Sequence, residues 1–318
     1  MRYRKLGAWG VKVSEIALGS WLTYGGYVED EGAIACIHRA FELGVNFFDT
    51  ANVYRRGAAE EVTGRALKDF RRDDYFLATK VYFPMGDGPN DRGLSRKHIM
   101  EQCHASLRRL GVDYIDLYQC HRPDEDTPLE ETLRALDDLV TQGKVLYTGV
   151  SMWSAERIDE AYRLHQKLNL DPLVSNQPEY SMLTRDIEDD VLPVCKQLGM
   201  GQVVYSPIAQ GVLAGKYAPG ERPPAGTRAA TPGGSDFISR FMRNDVLAAV
   251  QDLRPIADEL GITMAQLAIA WVLREPGVSS AIVGASRPEQ VEENVAASGV
   301  EVPPEALARI DEVLAPVQ

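Results

Sequence analysis

Long apolar runs are missing from this 318-residue chain, and so is any surplus of positive charge. No stretch approaches the ~18 consecutive apolar residues that a transmembrane helix needs. Residues 1–10 contain no apolar segment of signal-peptide length. The formal net charge of -12 disfavours nucleic acid and anionic lipid as partners. We therefore expect a cytoplasmic protein that binds neither nucleic acid nor membranes.

Cysteine is also scarce. The four thiols, Cys36, Cys103, Cys120 and Cys195, are far apart in the sequence. They form no C-x-x-C pair, and no histidine lies at zinc-finger spacing from them. The sequence therefore predicts reduced thiols and no metal site.

The chain also lacks the glycine-rich turn of an open dinucleotide-binding sheet. Its first strand-like segment, residues 14–18, stops at Gly19 and continues into Ser20 and Trp21 instead of G-x-G-x-x-G. Strand-like segments then alternate with helix-like segments eight times, which predicts parallel strands with right-handed crossovers. Eight such units in this length fit a single (β/α)8 TIM barrel over residues 1–318.

The predicted elements follow from apolar periodicity and from the residues that begin and end helices. The strands are residues 14–18, 47–49, 75–79, 115–120, 145–150, 173–175, 202–205 and 280–283. The helices are residues 30–43, 58–67, 95–110, 128–142, 154–168, 187–198 (interrupted near Pro193), 245–260, 264–273, 288–297 and 304–314. The Pro- and Gly-rich residues 207–244 predict a long loop or lid after strand 7, within one barrel.

Polar residues follow almost every predicted strand. In a barrel of this kind the C-terminal strand ends meet at one face, where active sites lie. Asp49, Lys80 and His121 end three successive strands, and Tyr54 follows Asp49 in a loop. These four side chains are therefore expected to lie together.

The four residues suit the protonation of an oxygen. A phenol is protonated at neutral pH, and an ammonium beside it stabilises the phenolate and lowers the pKa of the tyrosine. Asp49 supplies the anion that a buried Lys80 needs, and His121 can polarise a carbonyl or relay a proton. The alternative is structural: an Asp49–Lys80 ion pair, a packed Tyr54 and a turn that begins at His121.

A resemblance rests on motifs in the same order along nearly the whole chain. They are GVNFFDTANVY at 44–54, LATK at 77–80, LGVDYIDLY at 110–118, HRPD at 121–124, NQ at 176–177, YSPIAQGVLAGKY at 205–217 and GASRPEQVEEN at 284–294. With these motifs the chain resembles the aldo-keto reductases, in the branch that includes the potassium-channel β subunits and their bacterial relatives.

The resemblance implies NADPH-dependent reduction of aldehydes and ketones without a metal. Tyr54 would donate the proton, Lys80 and Asp49 would adjust the pKa of Tyr54, and His121 would orient the carbonyl. Channel β subunits usually have asparagine at the histidine position, so His121 favours an enzyme. One alternative is a regulatory subunit that binds NADP(H), senses redox state and turns over slowly. Another is an aldolase with Lys80 as Schiff-base residue, which pairing with Asp49 disfavours because a protonated lysine is a poor nucleophile.

The resemblance also implies an NADP(H) site built from many strand-end residues. These are Ser20, Trp21, Asp49, Ser151, Asn176, Gln177 and Tyr205 near the nicotinamide, Ser206, Pro207, Ile208, Gln210, Gly211, Lys216 and Arg228 near the pyrophosphate, and Gly284, Ser286, Arg287, Gln290, Glu293 and Asn294 near the adenosine. Ser286 precedes a helix N-terminus, which favours phosphate, and Arg287 can pair with a 2′-phosphate. Tyr27 and Met152 depart from the channel-subunit pattern.

Aromatic residues just past the strand ends predict an apolar mouth for a small carbonyl substrate. They are Trp21, Tyr54, Tyr82, Phe83 and Trp153, next to His121. No basic cluster for a substrate carboxylate is evident. We therefore expect aromatic or aliphatic aldehydes as substrates, and the sequence leaves a homo-oligomer open.

Overall fold

Eight parallel strands close into a barrel in this computed structural model, which describes residues 1–21, 24, 28–224, 227–230 and 235–317. Tyr27 lies outside these ranges. The strands are β1 (Tyr3–Lys5), β2 (Lys12–Ser14), β3 (Ile16–Gly19), β4 (Phe47–Asp49), β5 (Phe76–Val81), β6 (Ile115–Cys120), β7 (Val145–Ser151), β8 (Leu173–Gln177), β9 (Gly201–Tyr205) and β10 (Val278–Val283). Strands β3 to β10 follow one another around the barrel, and β10 pairs with β3. The predicted (β/α)8 barrel is confirmed.

Helices follow the barrel strands, close to the predicted bounds. They are α1 (Asp30–Glu42), α2 (Ala58–Leu67), α3 (Arg96–Leu110), α4 (Leu129–Thr141), α5 (Ala155–Leu168), α6 (Val191–Leu198), α7 (Ser235–Ile238), α8 (Asn244–Asp252), α9 (Arg254–Glu259), α10 (Met264–Leu273), α11 (Pro288–Val295) and α12 (Pro304–Leu314). Within the described ranges, no single helix is long and apolar enough to cross a membrane. Only Asn244–Glu259 and Met264–Leu273 together pass that test of length and composition, as a pair bent by 86°.

Two helix predictions were wrong in detail, both near prolines. The helix predicted over residues 245–260 is two helices, α8 and α9, because Pro255 lacks the N–H that would continue the hydrogen bonding of α8. The break in the helix predicted over 187–198 falls before α6 instead of at Pro193. Pro193 lies in the first turn of α6, where N–H groups have no partner within the helix.

An antiparallel hairpin of β1 and β2 was not predicted, because strands of three residues are too short to show a periodicity. Its turn lies against the start of β9, where Ala8 N donates to Gly199 O over 2.8 Å. Leu6 and Val13 from the hairpin belong to the apolar cluster inside the barrel. The hairpin therefore closes the N-terminal end of the barrel and leaves the C-terminal strand ends for a site.

The barrel interior changes from apolar to polar along the strands. Side chains two positions apart in a strand point the same way. Phe47 and Leu117 pack in the interior cluster, and Asp49 and Gln119 follow each of them by two positions. A separate, larger apolar layer lies between strands and helices. The alternation therefore directs a set of polar side chains inward at the end where the strands finish.

The close contact between α2 and α3 yields a stability prediction. A Cβ at Gly64 would lie 2.7 Å from the carbonyl carbon of Leu110, which is rigid backbone. We expect Gly64→Ala to lower the free energy of unfolding by about 1–3 kcal/mol, because the clash outweighs the higher helix propensity of alanine. Urea unfolding measures the change. Gly10→Ala is the control, since its Cβ would meet nothing within 4 Å. Equal midpoints for the two variants would contradict the prediction.

Candidate active site

Lys80 is the centre of the site and has no exposed surface. Its Nζ donates to Asp49 Oδ1 at 2.5 Å, to the backbone oxygen of Thr50 at 2.7 Å and to Tyr54 Oη at 3.4 Å. An ammonium has three N–H donors, and each of them has an acceptor here. Burial lowers the pKa of Lys80, and the carboxylate of Asp49 opposes that shift. The three acceptors fit a charged lysine, and one of its N–H groups fixes the position of the Tyr54 hydroxyl.

Asp49 is stabilised on its second oxygen by two buried amides. Gln177 Nε2 lies 2.9 Å from Asp49 Oδ2, and Gln119 Nε2 lies 3.4 Å from the same atom. These bonds offset the cost of burying a carboxylate. Sequence reasoning missed Gln119, although a polar residue paired in register with Lys80 in the neighbouring strand was a usable signal.

Tyr54 begins a 3₁₀ turn, Tyr54–Gly57, with unusual backbone angles. Arg55, Arg56 and Gly57 have φ of 51°, 52° and 99°, a left-handed conformation that only glycine adopts freely. A Cβ at Gly57 would also lie 2.6 Å from Arg109 Cδ. The close approach of Arg109 therefore requires glycine here.

Arg109 links this turn to the strand that carries Lys80. Its Nε donates to Glu60 Oε2 at 2.6 Å, and Thr79 Oγ1 donates to Glu60 Oε1 at 2.6 Å. Glu60 has no exposed surface. A buried carboxylate with two close donors fixes α2, and with it the turn at Tyr54, against β5.

The pKa of Tyr54 differs from the expectation. Burial raises the pKa of Tyr54 well above its usual value, Asp49 adds to the shift, and Arg122 opposes it. The net shift is upward, because loss of water around the phenol dominates, and the lowering expected from Lys80 alone stays a prediction. Since Tyr54 Oη accepts from Lys80, its own proton is available to another acceptor. The arrangement keeps the phenol protonated with an ammonium at its oxygen.

His121 follows β6 and faces Tyr54. Their ring centroids are 5.6 Å apart at an interplanar angle of 76°. The rings of Phe83 and His121 also meet edge to face, with centroids 4.9 Å apart. Among the described residues, His121 Nδ1 is buried without a hydrogen-bond partner. Burial lowers the pKa of His121 well below its usual value, with further lowering by Lys80 and Arg122. The imidazole is therefore neutral at neutral pH.

The residues expected around a nicotinamide lie at the ends of adjacent strands. Ser151 Oγ donates to the backbone oxygen of Gln177 at 2.8 Å, and Ser20 Oγ donates to Thr50 Oγ1 at 2.8 Å. Asn176 donates through Nδ2 to Gln202 at 3.3 Å. Its Oδ1 is buried without a partner among the described residues. The Nε2 of Gln177 donates to Asp49, and the expected contact of Gln177 with the nicotinamide stays a prediction.

Tyr205 and Met152 contact each other beside this group. The hydroxyl of Tyr205 lies 3.4 Å from the Sδ of Met152, and Met152 has a φ of 58°. Burial raises the pKa of Tyr205 to about 12. The half-buried phenol ring of Tyr205 thus lies at the end of β9, next to β8, which ends at Gln177.

The loop after β9 contains a left-handed run, Ala209–Gly211. Pro207 and Ile208 lead into a 3₁₀ turn, Ala209–Ala214, and Gln210 Nε2 donates to Ser206 Oγ at 2.5 Å. The residues with left-handed φ are Ser206 (56°), Ala209 (45°), Gln210 (59°) and Gly211 (95°). A Cβ at Gly211 would lie 3.5 Å from the Nζ of Lys216. The side chain of Arg228 lies outside the part of the chain that the structure describes.

The expected adenosine residues lie in the turn between β10 and α11 and on α11 itself. Ser286 donates to Gln290 Oε1 through both its backbone N at 2.8 Å and its Oγ at 3.0 Å. Asn294 Nδ2 donates to Gly284 O at 3.4 Å. Arg287 precedes α11 and its side chain is 64% exposed, 3.8 Å from Glu289. The backbone oxygen of Glu293 accepts from Gln266 at 3.0 Å.

The aromatic mouth is only partly as predicted. Trp21, Tyr82 and Phe83 are half-buried. Trp153 is only 2% exposed and packs in the layer between strands and helices, so it does not form the open lining that we expected. Phe237 from α7 lies 5.0 Å from Trp21, ring centroid to centroid. Its place could not be predicted, because α7 belongs to the long loop.

The buried imidazole of His121 predicts a pH-dependent stability. An unfolded histidine binds a proton below pH ~6.5, whereas His121 in the folded protein does not. The free energy of unfolding of wild type therefore decreases as the pH falls below that value. The decrease is at most about 1.4 kcal/mol per pH unit for one group. We expect His121→Asn to lose less stability than wild type between pH 6.5 and pH 5, by at most about 1.4 kcal/mol per pH unit.

Urea unfolding of both proteins at pH 5, 6 and 8 measures this difference. The comparison at pH 8 is the control, because it gives the pH-independent cost of the substitution. The other buried histidines, His98 and His165, are present in both proteins and cancel. Parallel stability curves from pH 8 to pH 5 would contradict a neutral, buried His121.

Comparison with known proteins agrees with this fold. The sequence model of the aldo/keto reductase family matches residues 15–315. A "Probable voltage-gated potassium channel subunit beta" of Arabidopsis thaliana is 44% identical over 320 residues, covering 99% of this chain and 97% of the relative. A protein of the same name from Oryza sativa subsp. japonica is 43% identical with the same coverage. The chain belongs to the aldo/keto reductase family.

Proposed function

We propose that this protein reduces aldehydes and ketones to alcohols with NADPH, and that Tyr54 donates the proton. The observation that carries the proposal is the hydrogen bonding of Lys80. Its three donors are directed to Asp49, Thr50 and Tyr54, so the oxygen of Tyr54 accepts and its proton remains available. Family membership supports an oxidoreductase built on this barrel.

The residues of the chain supply the acid and its stabilisation. NADPH at the strand ends would supply a hydride to the carbonyl carbon. As negative charge develops on the carbonyl oxygen, Tyr54 donates its proton there, and the electron pair of the broken O–H bond stays on the phenolate. The ammonium of Lys80 stabilises that phenolate, and Asp49 keeps the ammonium charged. One carbonyl compound, one hydride and one proton thus become one alcohol, and water returns a proton to Tyr54.

His121 would orient the carbonyl in this reaction. A neutral imidazole can donate one N–H to the carbonyl oxygen without giving up its proton. The ring lies at the edge of Tyr54, so both donors can converge on the same oxygen. The positive charges of Lys80 and Arg122 oppose protonation of His121. This division leaves Tyr54 as the group that transfers the proton.

Family membership and the residues at the neighbouring strand ends support NADP(H) as the cofactor. Ser151 and Gln177 end β7 and β8, and the amide of Gln177 lies inside the barrel beside Asp49. Lys216 lies beside Gly211 in the loop after β9, and its ammonium has the right charge for a phosphate. Ser151 and Gln177 would therefore lie near the nicotinamide, and Lys216 would lie near the pyrophosphate.

A regulatory subunit that holds NADP(H) and senses redox state is the second candidate. It is favoured by the two relatives that are named as channel β subunits at 43–44% identity. His121 favours an enzyme instead, because channel β subunits usually have asparagine at this position. An aldolase that uses Lys80 is disfavoured, because Lys80 has no exposed surface and three hydrogen-bond acceptors.

The reductase is tested by NADPH oxidation with 4-nitrobenzaldehyde. We expect Tyr54→Phe to reduce kcat by about 10²–10⁴, because the acid is removed while the ring remains. Tyr162→Phe, on the outer helix α5, is the control for loss of a tyrosine hydroxyl. Equal rates for wild type and Tyr54→Phe would exclude Tyr54 as the acid. A wild type that carries the cofactor absorbance through purification and shows no turnover would favour the redox sensor.

The role of the exposed Arg287 is tested by comparing the binding of NADPH and NADH. A guanidinium that pairs with the 2′-phosphate contributes about 1.5–3 kcal/mol, or roughly 10-fold or more in affinity. We expect Arg287→Ala to weaken NADPH binding by that factor and to leave NADH binding unchanged, since NADH lacks this phosphate. Fluorescence titration of both cofactors measures the affinities. Equal losses for NADPH and NADH would show that Arg287 does not contact the 2′-phosphate.

A further inference from the structure

Arg122 is a half-buried cation at the mouth of the site, next to His121 in the chain. Its NH1 group donates to the backbone oxygen of His121 at 2.6 Å. Its guanidinium carbon lies 5.6 Å from the centroid of Phe83, whose ring contacts His121. Among the residues that the structure describes, no carboxylate lies within 4.0 Å of it, whereas most other arginines have one. Arg122 therefore has donors and a charge that the protein does not use.

The charge of Arg122 reaches the groups that line the pocket. Burial is the largest cause of the shifts in pKa there. Arg122 adds to the lowering of the pKa of His121 and Lys80, and it opposes the rise in the pKa of Tyr54 and Tyr205. The contacts with the backbone of His121 and the ring of Phe83 place the guanidinium beside these groups, at the mouth of the site.

The position of Arg122 in the barrel indicates which molecule would supply an anion. Arg122 follows β6, and β6 lies four strands from β10 in either direction around the barrel. The turn after β10 carries Ser286 and Arg287, and the loop after the adjacent β9 carries the left-handed run. The phosphates of a dinucleotide on those elements would lie across the barrel from Arg122. The anion at Arg122 would therefore belong to the substrate.

We propose that Arg122 binds an anionic group of the carbonyl substrate, a carboxylate or a phosphate ester, and that anionic aldehydes and ketones are the preferred substrates. The proposal rests on the proposed reductase. It narrows our expectation of aromatic or aliphatic aldehydes, which looked for a cluster of basic residues and overlooked a single arginine.

The chemistry of arginine fits this role. A guanidinium has five N–H donors in a planar fork, and among the described residues only NH1 of Arg122 has a protein acceptor. The remaining donors can form the paired hydrogen bonds that carboxylates and phosphates accept. Stacking near Phe83 restricts the side chain, so less conformational entropy is lost on binding. On a protein of net charge -12, a cation at the mouth also attracts an anion that the remaining surface repels.

Paired substrates of equal shape test the proposal. 4-Formylbenzoate and 4-nitrobenzaldehyde differ in the charge of a planar, two-oxygen group, and glyceraldehyde 3-phosphate is compared with glyceraldehyde for the phosphate class. The readout is the ratio of kcat/KM for the anionic substrate to that for the neutral one. The variants are Arg122→Gln, Arg122→Lys and, as a control, Arg134→Gln on the outer face of α4, where Arg134 pairs with Glu130.

We expect Arg122→Gln to lower the ratio at least tenfold, chiefly through KM of the anion, and Arg122→Lys to retain part of the preference. Arg134→Gln keeps the wild-type ratio. A fall with the carboxylate pair alone, or with the phosphate pair alone, identifies the class of anion. The wild-type ratio should also decrease as ionic strength rises, because the attraction is electrostatic. A ratio unchanged in Arg122→Gln overturns the anion site and leaves the reductase intact.

A binding measurement keeps the two proposals separable. Calorimetric titration with benzoate and with benzamide requires no turnover. We expect benzoate to bind at least tenfold more weakly to Arg122→Gln than to wild type, with benzamide affected less. If wild type reduces no aldehyde, the reductase fails, and the titration still decides the anion site. Equal benzoate affinity in wild type and Arg122→Gln overturns it.

Discussion

The buried ion pair of Lys80 and Asp49 is the constraint on which the rest of the site depends. An ammonium without exposed surface costs several kcal/mol unless hydrogen-bond acceptors surround it. The barrel supplies these acceptors from the end of β4 and the residues just after it. The second carboxylate oxygen is in turn satisfied by amides from β6 and β8. Four strands thus contribute to one charge pair, and the position of Tyr54 follows from the third donor of Lys80.

The two ends of the barrel differ: apolar packing closes one end, and the other end carries this polar network. The hairpin of β1 and β2 and the apolar lower interior, including Phe47 and Leu117, close one end. The alternation of side chains then places Asp49 and Gln119 inward at the other end. A one-residue shift of register in any of these strands would turn the polar group outward. Correct strand pairing is therefore a requirement of the site as much as of the fold.

The sequence predicted what strand order determines and missed what tertiary packing determines. Barrel closure and the grouping of Asp49, Lys80 and His121 follow from alternating elements, since parallel strand ends must converge. The sequence did not show that Trp153 is buried, that the pKa of Tyr54 is raised, or that Arg122 contacts Phe83. These features depend on which neighbours exclude water or lie beside each side chain. A linear pattern does not contain that information. Short strands such as β1 and β2 are missed for a related reason, because their pairing stabilises them more than their own residues do.

The charges inside the site also explain why one residue donates the proton and its neighbour does not. Lys80 and Arg122 are cations, Asp49 is the anion that faces Lys80, and the excess is positive. Burial lowers the pKa of His121 and that excess lowers it further, so the imidazole stays neutral and can only donate a hydrogen bond. In the proposed reaction, the same excess would stabilise the negative charge that develops on the carbonyl oxygen and then on Tyr54. Because burial holds Tyr54 protonated before the reaction, this field acts mainly after proton transfer has begun, which is where stabilisation accelerates a reaction.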